Sequence, residues 1–254
     1  IKGVAYGTLF SALITSIIFL IYMFWYLSKY TKITINFTQI FNLKKIKNIF
    51  NINLNIFIRT ILLTFSFLWF TYLGTQIGED YVAANAILIN LVFLSAFILD
   101  AYAFSTEGIV GYSLGKKDLN LFKNIVKNSF ILSSISGLII SIIFFFTHNL
   151  VINLMSDINE IRELSSSYAV WLIILPVISS FCYQFDGIFI GASQTKELRN
   201  AMIFSVFSYL LISILLIKFL FNTGIWISLC IFMILRAVSL FYYLDKIYLR
   251  FRKN

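Results

Sequence analysis

Five acidic or basic side chains lie well inside long apolar stretches of the sequence, away from the ends of these stretches. They are two arginines and three carboxylic acids, Arg59, Asp100, Glu107, Asp186 and Arg236. A charge near the centre of a bilayer costs about 2.5–3.5 kcal/mol even on the lenient insertion scale, so such residues are rare and usually functional. Buried acids can pair with arginines, bind a cation, or take up and release a proton. These five residues are therefore the candidates for chemistry.

The acids have a spacing that places two of them together. Asp100 and Glu107 are seven residues apart, so both project from one face of a helix, and that face continues through Asn90. Two arginines cannot neutralise three carboxylates, so at least one acid must be protonated, hydrated or bound to a cation. The alternative is purely structural, with pairs such as Arg59–Glu107 or Arg236–Asp186 holding helices together.

The elements that carry these residues are predicted to be membrane helices. The 254 residues are 60% hydrophobic and 12% charged, with a mean hydropathy of +0.90, whereas soluble domains are about 45–50% apolar and 25% charged. Each apolar stretch is close to or above the roughly 20 residues that a spanning helix needs, and none alternates as a strand would. We predict an all-α polytopic membrane protein. The seven predicted spans are Val4–Leu27, Ile52–Leu73, Ala83–Leu114, Ile125–Phe146, Leu164–Ile190, Ala201–Phe221 and Gly224–Leu244.

The distribution of basic residues predicts the orientation of the spans. Only Lys2, Arg162 and Lys218 lie on one side of the membrane, and the remaining Lys and Arg residues outside the spans lie on the other, the Lys-rich side. Positive residues concentrate in the cytoplasm, so the Lys-rich side and the C-terminus are predicted to be cytoplasmic. Seven spans then place Ile1 outside. Because the sequence also lacks an initiator methionine, we expect it to be the C-terminal part of a longer protein.

Other function classes are disfavoured by the same pattern. The net charge of +9 does not indicate nucleic-acid binding, because the basic residues lie between spans and not on one face of a soluble fold. Cys182 and Cys230 lie in apolar runs and His148 has no partner histidine, so neither a disulfide framework nor a zinc site is expected. An intramembrane enzyme is disfavoured because the sequence contains no HExxH, GxGD or nucleophile–base pattern. No cofactor is expected.

Pro176 is the one proline, and it lies in the middle of the fifth predicted span. A proline there removes a backbone hydrogen bond and bends the helix. Such a break lies beside the substrate path in many transporters, although a kink tolerated by its neighbours is the alternative.

Two blocks of the sequence resemble one transporter family. The segment Tyr81–Asp118 contains an Ala-Ala-Asn triplet that ends at Asn85, the Asp100–Ala101 step, Glu107 and a Leu-Gly-Lys-Lys-Asp exit. It is similar to the first two helices of the C-terminal lobe in the multidrug and toxic compound extrusion (MATE) family, closest to the DinF-like branch. The segment 185–202, FDGIFIGASQTKELRNAM, resembles the tenth helix of that branch and the turn into the eleventh.

The resemblance implies an architecture and an activity. The chain would supply helices six to twelve of a twelve-helix, two-lobe antiporter, and the N-terminal lobe would be a missing partner. The implied divisions are 1–30 as the last helix of that lobe, 31–50 as a cytoplasmic amphipathic linker, 51–245 as the six-helix C-terminal lobe and 246–254 as a basic tail. Such a protein of the bacterial cytoplasmic membrane would contact lipids and export small organic, often cationic, compounds in exchange for protons or sodium ions.

The resemblance also implies roles for particular residues. Family members that use sodium have an acid at the position of Asp186 and many have a tyrosine four residues earlier, where this chain has Cys182, with Tyr183 one residue late. This departure puts a sodium site in doubt. The principal proton-carrying aspartate of the DinF-like branch lies in the N-terminal lobe, so Asp100, Glu107 and Asp186 would form a second acidic cluster. The candidates for the cavity lining are Asn85, Asn90, Pro176 and Tyr183.

A flippase of the same broad superfamily, which moves lipid-linked sugars or other amphiphiles, is the alternative function. Such a protein should have a more cationic cavity, suited to pyrophosphate. The three acids and two arginines within the spans favour the export of cations instead.

Overall fold

The computed structural model describes residues 2–30 and 42–252, and these are almost entirely helical. They fall into two compact units, residues 1–49 and residues 50–254. Six of the helices are long and apolar enough to cross a membrane within the described ranges, so the predicted all-α membrane fold is confirmed. The helices are α1 (Lys2–Tyr30), α2 (Leu43–Thr75), α3 (Glu79–Gly115), α4 (Leu119–Met155), α5 (Asn159–Ser167), α6 (Val170–Gly191) and α7 (Thr195–Arg252).

The first unit contains α1 and the start of α2. Helix α1 has 29 residues and is apolar around its whole circumference, which is typical of a membrane span. Helix α2 begins after Asn42, whose side-chain Oδ1 accepts hydrogen bonds from the backbone N–H groups of Lys44 and Lys45. Residues 43–50 of the predicted amphipathic linker therefore continue directly into the second span, and residues 31–41 of it lie outside the described ranges.

Helix α7 is a helical hairpin and supplies two spans. The helical geometry is broken at Phe221, which has φ 48° and ψ −130°. On either side of this break the chain runs back on itself, because Lys246 Nζ lies 3.1 Å from Glu197 Oε1 and the ring centroids of Tyr209 and Phe232 are 5.3 Å apart. We call residues 195–220 the first arm and residues 222–252 the second arm. With this hairpin the predicted seven spans are present.

Two details of the prediction differ from the structure. The segment 81–118 forms one helix, α3, and the following turn, and not two helices. The predicted fifth span, Leu164–Ile190, is divided into the short helix α5 and the span α6, with a turn at Tyr168 and Ala169. The run of serines before this turn explains the division, because serine side chains bond to nearby backbone carbonyls and weaken a helix. Ser167 Oγ does so, 2.7 Å from the carbonyl oxygen of Leu164.

The turns α3–α4 and α6–α7, both on the Lys-rich side, share one geometry. Lys117 and Ser193 adopt the left-handed conformation, with φ 58° and 53°. The next backbone N–H in each turn, of Asp118 or Gln194, bonds to the carbonyl five residues earlier, at 3.1 and 2.8 Å. This is the Schellman arrangement that ends helices. It reverses the chain sharply twice at the same end of the bundle.

Helix α6 is the centre of the second unit. It packs against α3, α4 and α7, and most of its C-terminal half is buried. Two glycines allow a close approach to α3. A Cβ atom on Gly187 would overlap the carbonyl oxygen of Ala103, and one on Gly191 would overlap that of Glu107. Small residues at such crossings let two membrane helices touch along their backbones, and here they bring Asp186 near Asp100 of α3.

Candidate functional site

The carboxylate of Asp186 is the centre of a buried charged cluster. Its Oδ2 atom accepts a hydrogen bond from Nη2 of Arg236 at 2.6 Å and a second from Nη2 of Arg59. Asp186 is 5% exposed and Arg236 is 1% exposed. Three helices, α2, α6 and the second arm of α7, therefore meet at one carboxylate oxygen. The expected Arg236–Asp186 pair is present, whereas Arg59 binds Asp186 and not Glu107.

Asp100 completes the charge balance of this cluster. Asp186 with its two arginines carries a formal charge of +1. Asp100 is half-buried on α3 and interacts electrostatically with all three residues. With Asp100 ionised, the four side chains are neutral together, and with Asp100 protonated they carry +1. Asp100 makes no hydrogen bond to any residue in the described ranges.

The second arm of α7 holds the Arg236 side chain in place. The guanidinium carbon lies 5.4 Å from the ring centroid of Phe232, and Nη1 lies 3.4 Å from Sδ of Met233. Both neighbours are one turn earlier on the same helix, and cation–π contact suits a desolvated guanidinium. Within the described residues, Nε of both arginines and Oδ1 of Asp186 are buried without a hydrogen-bond partner. These atoms are available to a water molecule or a substrate group.

Glu107 lies apart from this cluster. It is half-buried, two turns from Asp100, and forms no ion pair with a described residue. Its neighbour Thr106 turns inward and donates from Oγ1 to Oε1 of Gln184 at 2.9 Å, which ties α3 to α6. The charge cluster and Glu107 are therefore two separate features on one helix face.

The four cavity candidates fall in two places: Asn85 and Asn90 line one small cavity of about 80 Å³ between α2 and α3, and Pro176 and Tyr183 lie on α6. Asn90 is exposed, whereas Tyr183 and Pro176 are buried, with 8% of Tyr183 accessible. Helix α6 continues through Pro176, whose carbonyl oxygen would be 2.9 Å from a Cβ atom on Gly137 of α4. The proline thus lies at a close contact between α4 and α6. The roles of the four candidates in a substrate cavity stay predictions.

Asn85 belongs to a buried amide network. Its side chain exchanges hydrogen bonds with Asn222 at 2.6 and 3.1 Å and accepts one from Nε1 of Trp226 at 2.9 Å. All three residues are at most 3% exposed. The network joins α3 to the second arm of α7 just after the break at Phe221. Sequence reasoning missed Asn222 and Trp226, although an asparagine at the predicted boundary between two spans was an available signal.

Metal binding gains no support from the described residues. They contain no group of three or more His, Cys, Asp or Glu side chains that could hold a metal ion. Cys182 and Cys230 are both buried and free.

Comparisons with known proteins agree with the architecture. The MatE family model matches residues 56–219 of the chain. DNA damage-inducible protein F of Escherichia coli (strain K12) is 32% identical over 189 residues, which cover 74% of this chain and 41% of that protein. The chain therefore spans less than half of this curated relative.

Solved structures share the fold at low identity. A crystal structure of a MATE protein in complex with MaL6 is 17% identical and covers 98% of this chain and 57% of its own, with a TM-score of 0.84. A transporter of the MOP superfamily from Pyrococcus furiosus, described as having a binding pocket of reverse polarity, is 21% identical with a TM-score of 0.70. It covers 78% of this chain and 44% of its own. Because the family model matches well over half of the residues, this chain belongs to the MATE family of transporters.

Proposed function

We propose that this chain provides the C-terminal, ion-coupling lobe of a proton-coupled exporter of organic, often cationic, compounds. One observation carries the proposal: a buried aspartate bound by two arginines lies beside a second aspartate, Asp100, that is half-buried and free of hydrogen bonds to the described residues. An ionisable residue of this kind inside the membrane marks an ion or substrate path. The DinF-like relative and the MATE fold support the same function.

The coupling follows from the charge of the cluster. Protonation of Asp100 changes the charge of the four side chains from zero to +1, which weakens the binding of a cation nearby. Loss of the proton restores the affinity. If the two lobes of the transporter rock about a central cavity, the direction of transport is set by this difference in affinity between the two states.

A proton suits this site better than a sodium ion. A sodium ion at Asp186 would have to bind beside two guanidinium groups that already occupy Oδ2. Two positive charges within a few ångströms oppose the entry of a third. We therefore propose H⁺ as the coupling ion, acting at Asp100, and a cytoplasmic-membrane location with the C-terminus inside.

The flippase alternative has one observation in its favour. Asp186 and its two arginines alone carry +1. The Nε atoms of Arg59 and Arg236, which have no hydrogen-bond partner in the described part of the chain, could donate to a phosphate. The flippase would bind its anionic substrate while Asp100 is protonated and the four side chains carry +1. The exporter would bind its cationic substrate while Asp100 is ionised and the four side chains are neutral.

Transport by membrane vesicles tests the proposal. The gene that encodes this chain is expressed in a drug-sensitive bacterium, and proton release from everted vesicles is recorded after addition of an organic cation. Asp100→Asn should reduce proton-coupled export at least about tenfold, as expected when the charged form of a group is required. Glu163→Gln, which alters an exposed acid outside the spans, should not. Liposomes that contain this chain alone should not transport, because the resemblance implies a second lobe.

Three results would contradict the proposal. The first is full coupling in Asp100→Asn, and the second is export driven by a sodium gradient but not by a pH gradient. The third is movement of a pyrophosphate-bearing lipid with no export of cations, which would establish the flippase.

A further inference from the structure

An open apolar groove runs along the second unit on the side formed by α4 and the second arm of α7. Helix α6 forms its floor and the two other helices form its walls, and its volume is about 450 Å³. The rings of Phe130 and Phe185 meet edge to face with centroids 4.8 Å apart, so the wall and the floor are in contact. Side chains that line the groove include Val126, Phe130, Phe181, Phe185, Val238 and Phe241.

A cavity of about 560 Å³, lined by both charged and apolar side chains, lies at the Lys-rich end of the same two helices. Lys123 of α4 faces it from one side, and Asp245 and Tyr248 of α7 face it from the other. Among the residues that the structure describes, neither Lys123 nor Asp245 has a hydrogen bond or an ion pair. Lys127 is exposed and lies one helical turn after Lys123 in the sequence, on the same face of α4.

The groove and the cavity together have the length of one membrane leaflet. The α4 side extends from Leu119 to Phe130, twelve residues, or about 17 Å of helix between the first and the last. Half of the hydrocarbon core of a bilayer is about 15 Å thick. The apolar groove lies toward the membrane centre. The cavity with Lys123 and Asp245 lies at the end of the helices, where lipid headgroups are found.

The charged side chains of the cavity at the Lys-rich end determine which lipid headgroup can bind there. Lys123 and Lys127 can bind a phosphate, and the hydroxyl of Tyr248 can donate to it. Asp245 would repel a second anionic group but accept hydrogen bonds from an ammonium group that carries N–H. A headgroup with both a phosphate and a primary amine satisfies all of these side chains.

We propose that this groove binds one phosphatidylethanolamine molecule from the leaflet on the Lys-rich side. Its phosphate lies at Lys123, its ammonium group at Asp245, and an acyl chain lies on the phenylalanine rings of the groove. The lipid would cover the gap between α4 and the second arm of α7, with α6 beneath it. It would thereby brace the helix that carries Asp186 and the arm that carries Arg236.

Native mass spectrometry of the purified, delipidated protein tests this assignment. Dioleoyl phosphatidylethanolamine, phosphatidylglycerol and phosphatidylcholine are titrated separately, and the dissociation constant of the first bound lipid is measured. Phosphatidylethanolamine should bind about fivefold more tightly than the other two, since a headgroup contact at a membrane surface is worth about 1 kcal/mol. Phosphatidylcholine is the informative comparison because its ammonium group has no N–H to donate.

Variants divide the contributions of the two charges. Asp245→Asn should abolish the preference for phosphatidylethanolamine, whereas Lys123→Gln should weaken all three lipids by a similar factor. The matched controls are Asp80→Asn and Lys218→Gln. Both alter exposed charges at helix ends on the side away from the Lys-rich side, far from the proposed headgroup site. Val238→Trp, at the rim of the groove, should lower the affinity for every lipid and tests the acyl site without altering a charge.

The outcomes leave the proposal standing or overturn it. Equal affinities for phosphatidylethanolamine and phosphatidylcholine would overturn it, as would an unchanged preference in Asp245→Asn. Tighter binding of phosphatidylglycerol would identify a general basic surface instead. Thermal unfolding of each variant shows that a lost affinity does not come from a misfolded protein.

Discussion

At the scale of single residues, the two carboxylate oxygens of Asp186 differ in their hydrogen bonds. One oxygen, Oδ2, accepts from two arginines on different helices, and the other oxygen has no partner among the described residues. Removing one member of a buried ion pair leaves an uncompensated charge, which costs more than the pair itself contributes. The cluster therefore links stability to the same groups that we propose for coupling.

We predict that Asp186→Asn lowers the free energy of unfolding in detergent micelles by about 3–5 kcal/mol, because the buried guanidinium of Arg236 and the partly buried one of Arg59 lose their counter-ion. Asp157→Asn is the control, since that acid pairs with Arg162 at the surface and should have little effect. In the double variant with Arg236→Gln, the losses should be less than additive. Additive losses would show that the two residues do not interact.

The amide network gives a second prediction at this scale. Asn85→Ala should destabilise the protein by about 1–3 kcal/mol, because Asn222 and Nε1 of Trp226 then stay buried without an acceptor. Asn90→Ala, on the same helix but exposed, should be close to neutral. Chemical unfolding followed by the tryptophan fluorescence of both variants measures the difference. Equal effects would mean that the network does not contribute to stability.

At the scale of elements, the contact between α3 and α6 depends on glycine. Gly187 and Gly191 lie where a Cβ atom would overlap carbonyl oxygens of α3, and backbone atoms cannot move aside as a flexible side chain can. The approach of these helices places Asp186 near Asp100. Packing along a backbone thus determines the geometry of the charges.

We predict that Gly187→Ala separates α3 from α6 and lowers the stability by about 1–3 kcal/mol, the usual cost of overpacking. Gly108→Ala on α3 is the matched control, because nothing lies within 4 Å of its added Cβ atom. Replacing this helical glycine should raise the stability by about 0.5–1 kcal/mol. Melting temperatures that move in the same direction for both variants would contradict the close contact.

The α7 hairpin gives a prediction that concerns the backbone alone. Phe221 has φ 48° and ψ −130°, a conformation that favours glycine. Phe221→Gly should therefore stabilise the protein by about 1 kcal/mol. Phe219→Gly removes a similarly exposed ring from a helical position and should destabilise it by about as much. Thermal unfolding distinguishes the two, and a loss of stability in both would show that Phe221 is not strained.

At the scale of the whole molecule, the charges at the two ends of the helices predict the orientation in the membrane. Lys116 follows the last residue of α3 on the Lys-rich side, and Asp80 lies in the first turn at its other end. In intact cells, a membrane-impermeant maleimide should label Asp80→Cys but not Lys116→Cys. The native cysteines are buried, so they give little background. Labelling of Lys116→Cys before permeabilisation would reverse the assigned topology.

Much of this architecture was predictable because the bilayer imposes simple rules on a sequence. Helix length, the spacing of Asp100 and Glu107 on one face, and the concentration of lysines on one side all follow from the sequence pattern. The break between α5 and α6 was not predicted, because the apolar run continues across it while serine side chains bond locally to the backbone. The α6 span is therefore shorter than its apolar stretch.

The sequence by itself determined which charged residues lie in the membrane and on which helices. It could not determine their partners, since both arginines were possible partners of several acids. Only the tertiary structure decided that Arg59 and Arg236 share one oxygen of Asp186 and that Asn85 binds Asn222. It also leaves Asp100 without a hydrogen bond to any of the described residues. The physical reason is that these contacts join residues up to 137 positions apart. They depend on the way the glycine contacts and the α7 hairpin bring the helices together, which no local pattern specifies.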